Sequence, residues 1–271
     1  MTSLYVAALN SGSNGNCYYI GNDEEAVLID AGLSCRETEK RMYRLGLTMK
    51  KVKAIFISHE HSDHIKGLEV LSRKHQLPVY ISAGTLRHAG LSLDPDLVQF
   101  LCAGTPVHIG ALAVSPFLKH HDAADPHSFT VEDPHTCIGI FTDIGKVCEN
   151  LSTHFQRCHA AFLEANYDEV LLEKGRYPYH LKKRIRGGQG HLSNKEALDL
   201  FTSCRPPHMS HLFLSHLSAD NNNPDLVRDL FHKQAATTAI IIASRYGETP
   251  VYAISGSNAG APRTLGQLTL F

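Results

Sequence analysis

Short apolar blocks rich in β-branched side chains recur along this chain, and most are followed by a polar turn and then by a segment with helical spacing. Leu4 to Leu9, Cys17 to Ile20 and Ala26 to Ile29 have the length and composition of buried strands, with the run Ser11-Gly12-Ser13-Asn14-Gly15-Asn16 between the first two. Cys35 to Leu45 reads as a helix with Lys40, Arg41 and Arg44 on its wet face, and Val52 to Ser58 as the next strand. Ile65, Leu68 and Leu71 then recur at helical spacing, predicting a helix that begins near His64 and packs on the sheet. Val79 to Ser82, Thr105 to Ile109, Leu112 to Phe117, Cys137 to Phe141, Ala160 to Glu164, Leu212 to Ser215 and Val251 to Ile254 continue the strands. Helical segments are expected at Val170 to Lys174, Tyr179 to Ile185 and Lys195 to Ser203. Strands interleaved with helices predict an α/β architecture.

Composition narrows this picture. A chain of 271 residues that is 43% hydrophobic and 20% charged can bury a large core, so one two-layered or four-layered α/β domain, or two small ones, is expected. The net charge of −1 gives no general attraction to nucleic acid, and phosphate contacts would have to come from local patches or bound cations. The seven cysteines contain no Cys-x-x-Cys pair and read as reduced thiols. Without a basic start followed by an apolar stretch, or about 18 apolar residues in a row, the expectation is a soluble cytoplasmic protein that does not enter a membrane.

The chemistry concentrates at Ile55 to His64, IFISHEHSDH. His59, His61, Asp63 and His64 follow directly on a strand; in extended backbone His59 and His61 share a face, while Asp63 and His64 reach round the following turn. Imidazoles and a carboxylate are what zinc, manganese or iron accept. Elsewhere the residues leave alternatives open. The Ser11 to Asn16 run is either a hairpin turn or an anion-binding loop. Asp143, after Cys137 to Phe141, is either a helix N-cap or a ligand. Lys182, Lys183, Arg184 and Arg186 form the densest basic run, either a solvated helix end or a phosphate-backbone clamp. Asn221 to Asn223 form a turn or contact substrate.

The His-x-His-x-Asp-His motif resembles the signature of metallo-β-lactamase-fold hydrolases, and Ser-Gly-Ser-x-Gly-Asn at Ser11 to Asn16, His121-Asp122-Ala123, Gly190-His191-Leu192-Ser193-Asn194 and His216-Leu217-Ser218 resemble the YycJ (WalJ) branch of that superfamily. The resemblance spans Leu4 to Ile254 and implies a four-layered αββα sandwich. It implies two divalent metal ions (zinc, manganese or iron): His59, His61 and His121 on one, Asp63, His64 and His216 on the other, Asp143 shared. His120, His127 and His135 do not align with ligands. The ligands are expected from six strand ends opening on one edge. Asp30 is implied as a buttress of the ligand loops, Ser13 and Asn16 as part of a loop lining the active site, and the basic run as the clamp. His191, oriented by Glu164, is implied as the group protonating the leaving oxygen, and Asp63 as essential to catalysis. The branch implies a 5′→3′ DNA exonuclease. The alternatives are a phosphodiesterase of small cyclic phosphates, more distantly a lactone or thioester hydrolase, or a non-catalytic regulatory module.

Residues 1–256 are expected to form the catalytic domain and 257–271 a tail of linker composition. The tail ends in Gln267-Leu268-Thr269-Leu270-Phe271. This peptide either docks on its own domain as a strand or, by its similarity to clamp-binding peptides, inserts Leu268, Leu270 and Phe271 into the bacterial sliding clamp with Gln267 fixing orientation.

Overall fold

Each half of the chain lays down an antiparallel meander and finishes with parallel strands, and this repetition fixes where the loops open. The computed structural model describes residues 3–256, so the peptide Gln267 to Phe271 lies outside the described residues. In the first half β1 (Leu4–Asn10), β2 (Cys17–Gly21) and β3 (Ala26–Ile29) are joined by hairpins. Helix α1 (Cys35–Arg44) leads to β4 (Val52–Phe56), α2 (Ser62–Ile65) and α3 (Leu68–His75) to β5 (Val79–Ile81), and α4 (Ala83–Ala89) to β6 (Val98–Phe100). The second half repeats the plan with β7 (Val107–Ile109), β8 (Leu112–Leu118), β9 (His127–Glu132) and β10 (Cys137–Phe141) as the meander. Helix α5 (Glu149–Phe155) leads to β11 (Ala160–Glu164); α6 (Glu169–Lys174), α7 (Tyr179–Arg186) and α8 (Asn194–Cys204) lead to β12 (His211–Ser215); and α9 (Pro224–His232) leads to β13 (Ala239–Ile242). Strand β14 (Tyr252–Ile254) returns to pair antiparallel with β1.

The result is two seven-stranded sheets, ordered β14-β1-β2-β3-β4-β5-β6 and β13-β12-β11-β10-β9-β8-β7. Their inner faces meet in a dry layer containing Val6, Tyr18, Ile29, Phe56, Phe129, Ile140, Phe162 and Phe213. The outer face of the first sheet is covered by α1 and α3 through Met42, Leu68 and Leu71, and that of the second by α5, α8 and α9 through Leu151, Phe155, Leu200, Phe201 and Phe231. This is the four-layered αββα sandwich. Because β1, β3, β4, β8, β10, β11 and β12 all run in the sense that ends at one edge, their C-terminal loops gather there.

Several local expectations change. The helix expected from His64 is two helices, broken at Gly67, where a Cβ would come within 1.8 Å of the Leu33 carbonyl oxygen. Asp143 is not an N-cap, since α5 starts at Glu149 behind Cys148. Ser193, one of two adjacent residues able to cap α8, does so in a reciprocal box with Glu196. Strands β6, β9 and β13 are not predicted by the apolar pattern; β9 escapes a hydrophobicity reading because Ser128 and Thr130 are buried polar residues alternating with Phe129 and Val131.

Candidate metal centre

The first sheet brings four expected ligands to the edge on one loop. After β4 the chain leaves the sheet at Ser58, and Asp30, at the end of neighbouring β3, receives it: Asp30 Oδ1 accepts from the Ser58 amide at 2.8 Å and Oδ2 from the Ser58 hydroxyl at 2.9 Å. The same Oδ2 accepts from His64 Nδ1 at 2.7 Å, and the Ser58 hydroxyl oxygen accepts from His59 Nδ1 at 2.9 Å. One buried carboxylate thus fixes the orientation and tautomer of two imidazoles, leaving each Nε2 lone pair facing the pocket. Gly32 lets the loops close. A Cβ there would lie 1.7 Å from the Asp63 carbonyl oxygen and 2.6 Å from the Asn16 amide nitrogen.

The second sheet builds its half around Glu164, at the end of β11. Its Oε1 accepts from His191 Nδ1 at 2.8 Å and His216 Nδ1 at 3.0 Å, and its Oε2 from the amides of Ile144 at 2.8 Å and Leu192 at 3.1 Å. With both oxygens engaged and the residue fully buried, Glu164 orients its partners rather than meeting substrate. His121, beyond β8, donates Nδ1 to the Gly190 carbonyl at 2.9 Å. Asp30, Asp143 and His216 all adopt left-handed backbone, at φ +63°, +55° and +54°, each on leaving its strand. His216 is held there from both sides: its amide donates to Ser11 Oγ at 2.8 Å, and Asn166 Nδ2 donates to its carbonyl at 2.7 Å.

The inward-facing atoms form two groups joined by Asp143. In the first, His59 Nε2 lies 3.1 Å and His121 Nε2 3.3 Å from His61 Nδ1. In the second, His64 Nε2 and His216 Nε2 lie 3.5 and 3.6 Å from Asp63 Oδ2. Asp143 Oδ2 is 3.1 Å from His64 Nε2, and its Oδ1 is 3.2 Å from His216 Nδ1 and 3.8 Å from His121 Nε2, so the carboxylate stands against the second group and reaches toward the first. Asp143 Oδ2 and His216 Nε2 are buried without a hydrogen-bond partner. In the first group, lone pairs facing one another across such gaps repel unless a cation lies between them; in the second, a metal ion would take the place of the protons that His64 and His216 share with the carboxylates. Four donors about 2.0–2.1 Å from a tetrahedral ion would be about 3.3 Å apart, so these residues fit a divalent cation. The expected ligands come from the ends of four strands, β4, β8, β10 and β12, not six; β3 and β11 supply the supporting carboxylates Asp30 and Glu164.

The two groups differ in charge. Burial pushes His59 well below the usual imidazole range and His121 down to about 4. Burial acts in the same sense on His64 and His216, but Asp143, Asp30 and Asp63 hold His64 well above that range, and Asp143, Asp63 and Glu164 raise His216 to about 10. Burial alone would likewise raise the Glu164 carboxyl, yet His191 and His216 hold it at about 2.

Other expected site residues fall into place unevenly. The Ser11 to Asn16 run is a hairpin connection that also backs the site: Asn16, fully buried, donates Nδ2 to Asp63 Oδ2 at 3.1 Å and lies 3.1 Å from His64 Nε2. It steadies ligands instead of facing substrate as expected. Ser13 is exposed on the same loop. The basic run lies on α7. Lys182 donates to the Glu173 carbonyl at 2.5 Å, Arg186 pairs with Glu173 at 2.9 Å, Arg184 bonds Asp122, and Lys183 is exposed. Asn223 caps α9 and Asn222 bonds the Ala165 and Asn166 carbonyls, so this run is a structural turn. Sequence reasoning missed Lys119, fully buried, whose ammonium donates to the Thr142 carbonyl at 2.7 Å and pins the strand end before Asp143; only its position two residues before His121 hinted at it.

An αββα sandwich with a histidine and aspartate centre at the edge shared by both sheets defines a class of metal-dependent hydrolases. The chain belongs to the metallo-beta-lactamase superfamily, whose sequence pattern matches residues 11–181. It is 36% identical over 228 residues to the exodeoxyribonuclease YycJ of Bacillus anthracis, covering 83% of this chain and 86% of that protein. It is 29% identical over 233 residues to the exodeoxyribonuclease WalJ of Streptococcus pneumoniae, covering 84% and 87%. Among solved structures, the metallo-beta-lactamase fold protein YhfI from Bacillus subtilis superposes with a TM-score of 0.72 at 15% identity, over 93% of this chain and all of that one, a likeness of fold. Among the described residues no helix is long and apolar enough to cross a membrane.

Proposed function

We propose that this protein is a dinuclear metal-dependent phosphodiesterase that degrades DNA from 5′ ends as a 5′→3′ exonuclease, in repair or replication in the cytoplasm. The observation that carries the chemistry is Asp143, a buried carboxylate within 3.1–3.2 Å of His64 and His216 on one side and 3.8 Å from His121 on the other. His59, His61 and His121 would hold one cation and Asp63, His64 and His216 the other, with Asp143 between them. Two such ions, zinc, manganese or iron, supply a hydroxide nucleophile at neutral pH and stabilise charge on a phosphoryl oxygen.

The chain's own residues do the rest. Asp30, through Ser58, and Glu164 hold the imidazoles in one tautomer, so nothing needs to reorganise during reaction. His191 is 19% exposed, with Nδ1 on Glu164; its Nε2 makes no hydrogen bond among the described residues and carries the proton for the leaving oxygen. Glu164 accepts from Nδ1 at 2.8 Å and holds the ring so that Nε2 faces outward. On α7, exposed Lys183, Arg184, which bonds Asp122, and Arg186, which pairs with Glu173, meet backbone phosphates. DNA as the substrate is supported by the names of the two exodeoxyribonuclease relatives.

The test is metal analysis of the purified protein together with digestion of a 5′-phosphorylated, end-labelled duplex, with cyclic phosphate esters as the competing substrate. The parent should release nucleotides from the 5′ end. Asp63→Asn, which keeps shape but removes an anionic ligand, should lower the rate by at least about 10²-fold with an unchanged fold. Preferential hydrolysis of cyclic esters would move the protein to the small-molecule reading, and a fully active Asp63→Asn variant would remove the two-metal chemistry.

A further inference from the structure

Asp122 follows His121 directly, and no expected role used its side chain. Its Oδ2 accepts a hydrogen bond from Arg184 Nε, while its Oδ1 is buried without a hydrogen-bond partner and lies 3.5 Å from His121 Nε2. Since His121 Nδ1 donates to the Gly190 carbonyl, its Nε2 carries a lone pair. Two acceptors therefore face each other. That is an unfavourable contact for a carboxylate with nothing between, and a favourable one around a cation.

The surroundings support the same reading. The segment carrying Asp122 is tied to the ligand loop, because the Ala124 amide donates to Glu60 Oε1 at 2.7 Å and Glu60 stands between His59 and His61. The first group, His59, His61 and His121, consists of imidazoles; carboxylates approach His121 Nε2 from two sides, Asp143 at 3.8 Å and Asp122 at 3.5 Å. Asp122 stands outside the set of donors that lie within 4.8 Å of one another, at the rim. Its side chain is 26% exposed, so turning it inward does not disturb the core.

We propose that Asp122 is an additional oxygen donor for the cation held by His59, His61 and His121, and that Arg184 tunes it by neutralising its outer oxygen. The inference rests on the metal reading of the site but not on DNA as substrate. Arg184 belongs to α7, whose last turn also receives the His191 amide on the Ile185 carbonyl at 2.9 Å. A phosphate that takes the Arg184 guanidinium frees Asp122 to strengthen the centre.

Zinc binding to the chelator-treated full chain, measured by calorimetry without DNA, tests this. Asp122→Asn should weaken one of the bound equivalents about tenfold or more. Arg184→Gln should leave that equivalent as tight or tighter, because the carboxylate loses its counter-charge, and the double variant should match Asp122→Asn. Asp122→Glu should recover most of the loss. Loading with manganese adds a second readout, a changed electron paramagnetic resonance spectrum in Asp122→Asn. If Asp122 only anchors Arg184, the two single variants behave alike and leave zinc affinity unchanged, which overturns the proposal while leaving the seven-ligand centre intact. Unchanged affinity in Asp122→Asn with circular dichroism matching the parent overturns it equally.

Discussion

At the scale of single residues, the centre is asymmetric. His59 and His121 are pushed below the usual range and are neutral near pH 7, whereas His64 and His216 are held above it and carry protons in the metal-free chain. A cation entering the Asp63, His64 and His216 group must displace those protons, whereas His59 and His121 present unprotonated nitrogens to a cation in the other group. We therefore expect one metal equivalent whose affinity depends less on pH, because His59 and His121 are already neutral, and a second whose affinity climbs more steeply with pH and whose binding releases more protons. Calorimetry in buffers of different ionisation enthalpy measures the released protons directly. Equal proton release for both equivalents would contradict the assignment of charge to the second group. His59, His61, Asp63 and His64 are legible as ligands because one short run behind a strand carries them all. The supporting role of Asn16 is not, since its contact with Asp63 crosses 47 residues of sequence and nothing local announces it.

At the scale of elements, strands are recognisable where apolar residues run together, as in β4 and β11, and obscure where buried polar side chains or three-residue lengths interrupt the pattern, as in β9 and β6. The turns matter more for the site than the strand bodies. Asp30-Ala31-Gly32 after β3 and Asp143-Ile144-Gly145 after β10 repeat the same device in the two sheets: a left-handed acid, then a glycine against which another backbone passes. Gly32→Ala places a Cβ against the Asp63 carbonyl, a backbone atom that cannot swing away. We expect a loss of about 3 kcal/mol in denaturant unfolding and weakened metal binding through Asp63. Gly247→Ala, where no heavy atom lies within 4 Å of the added Cβ, should change stability by less than about 0.5 kcal/mol.

At the scale of the whole molecule, the centre joins the two sheets, so loading it should stabilise the fold as a unit. At free metal about 100 times Kd, each site adds about 2.7 kcal/mol, or about 5–10 °C in Tm. The effect should grow with pH. The His216 imidazolium, raised to about 10, stabilises the metal-free fold fully below the unfolded pKa of about 6.5, and this contribution is lost as pH rises through about 10. The drop in Tm on chelation should accordingly be larger at about pH 9 than at about pH 7, and a drop independent of pH would argue that His216 is not paired in the metal-free state. The same scale includes the tail. Deleting Gln267 to Phe271 should leave cleavage of short duplexes unchanged and abolish sliding-clamp binding in calorimetry; retained clamp affinity would exclude the peptide as the contact.

The sequence by itself determined the class of architecture and the chemistry of the dense motif, because hydrophobic periodicity is local and a strand followed by His-x-His-x-Asp-His brings its ligands together through backbone geometry alone. The tertiary structure decided which distant acids and imidazoles share that pocket. It placed Asp143 between two groups, turned Asp30 and Glu164 into fixed acceptors behind the histidines, moved Asn16 from the substrate side to the support of Asp63, and paired Asp122 with Arg184. Those outcomes depend on strand order and on loops meeting across two sheets, through contacts between residues tens to hundreds of positions apart that leave no periodic trace in the chain.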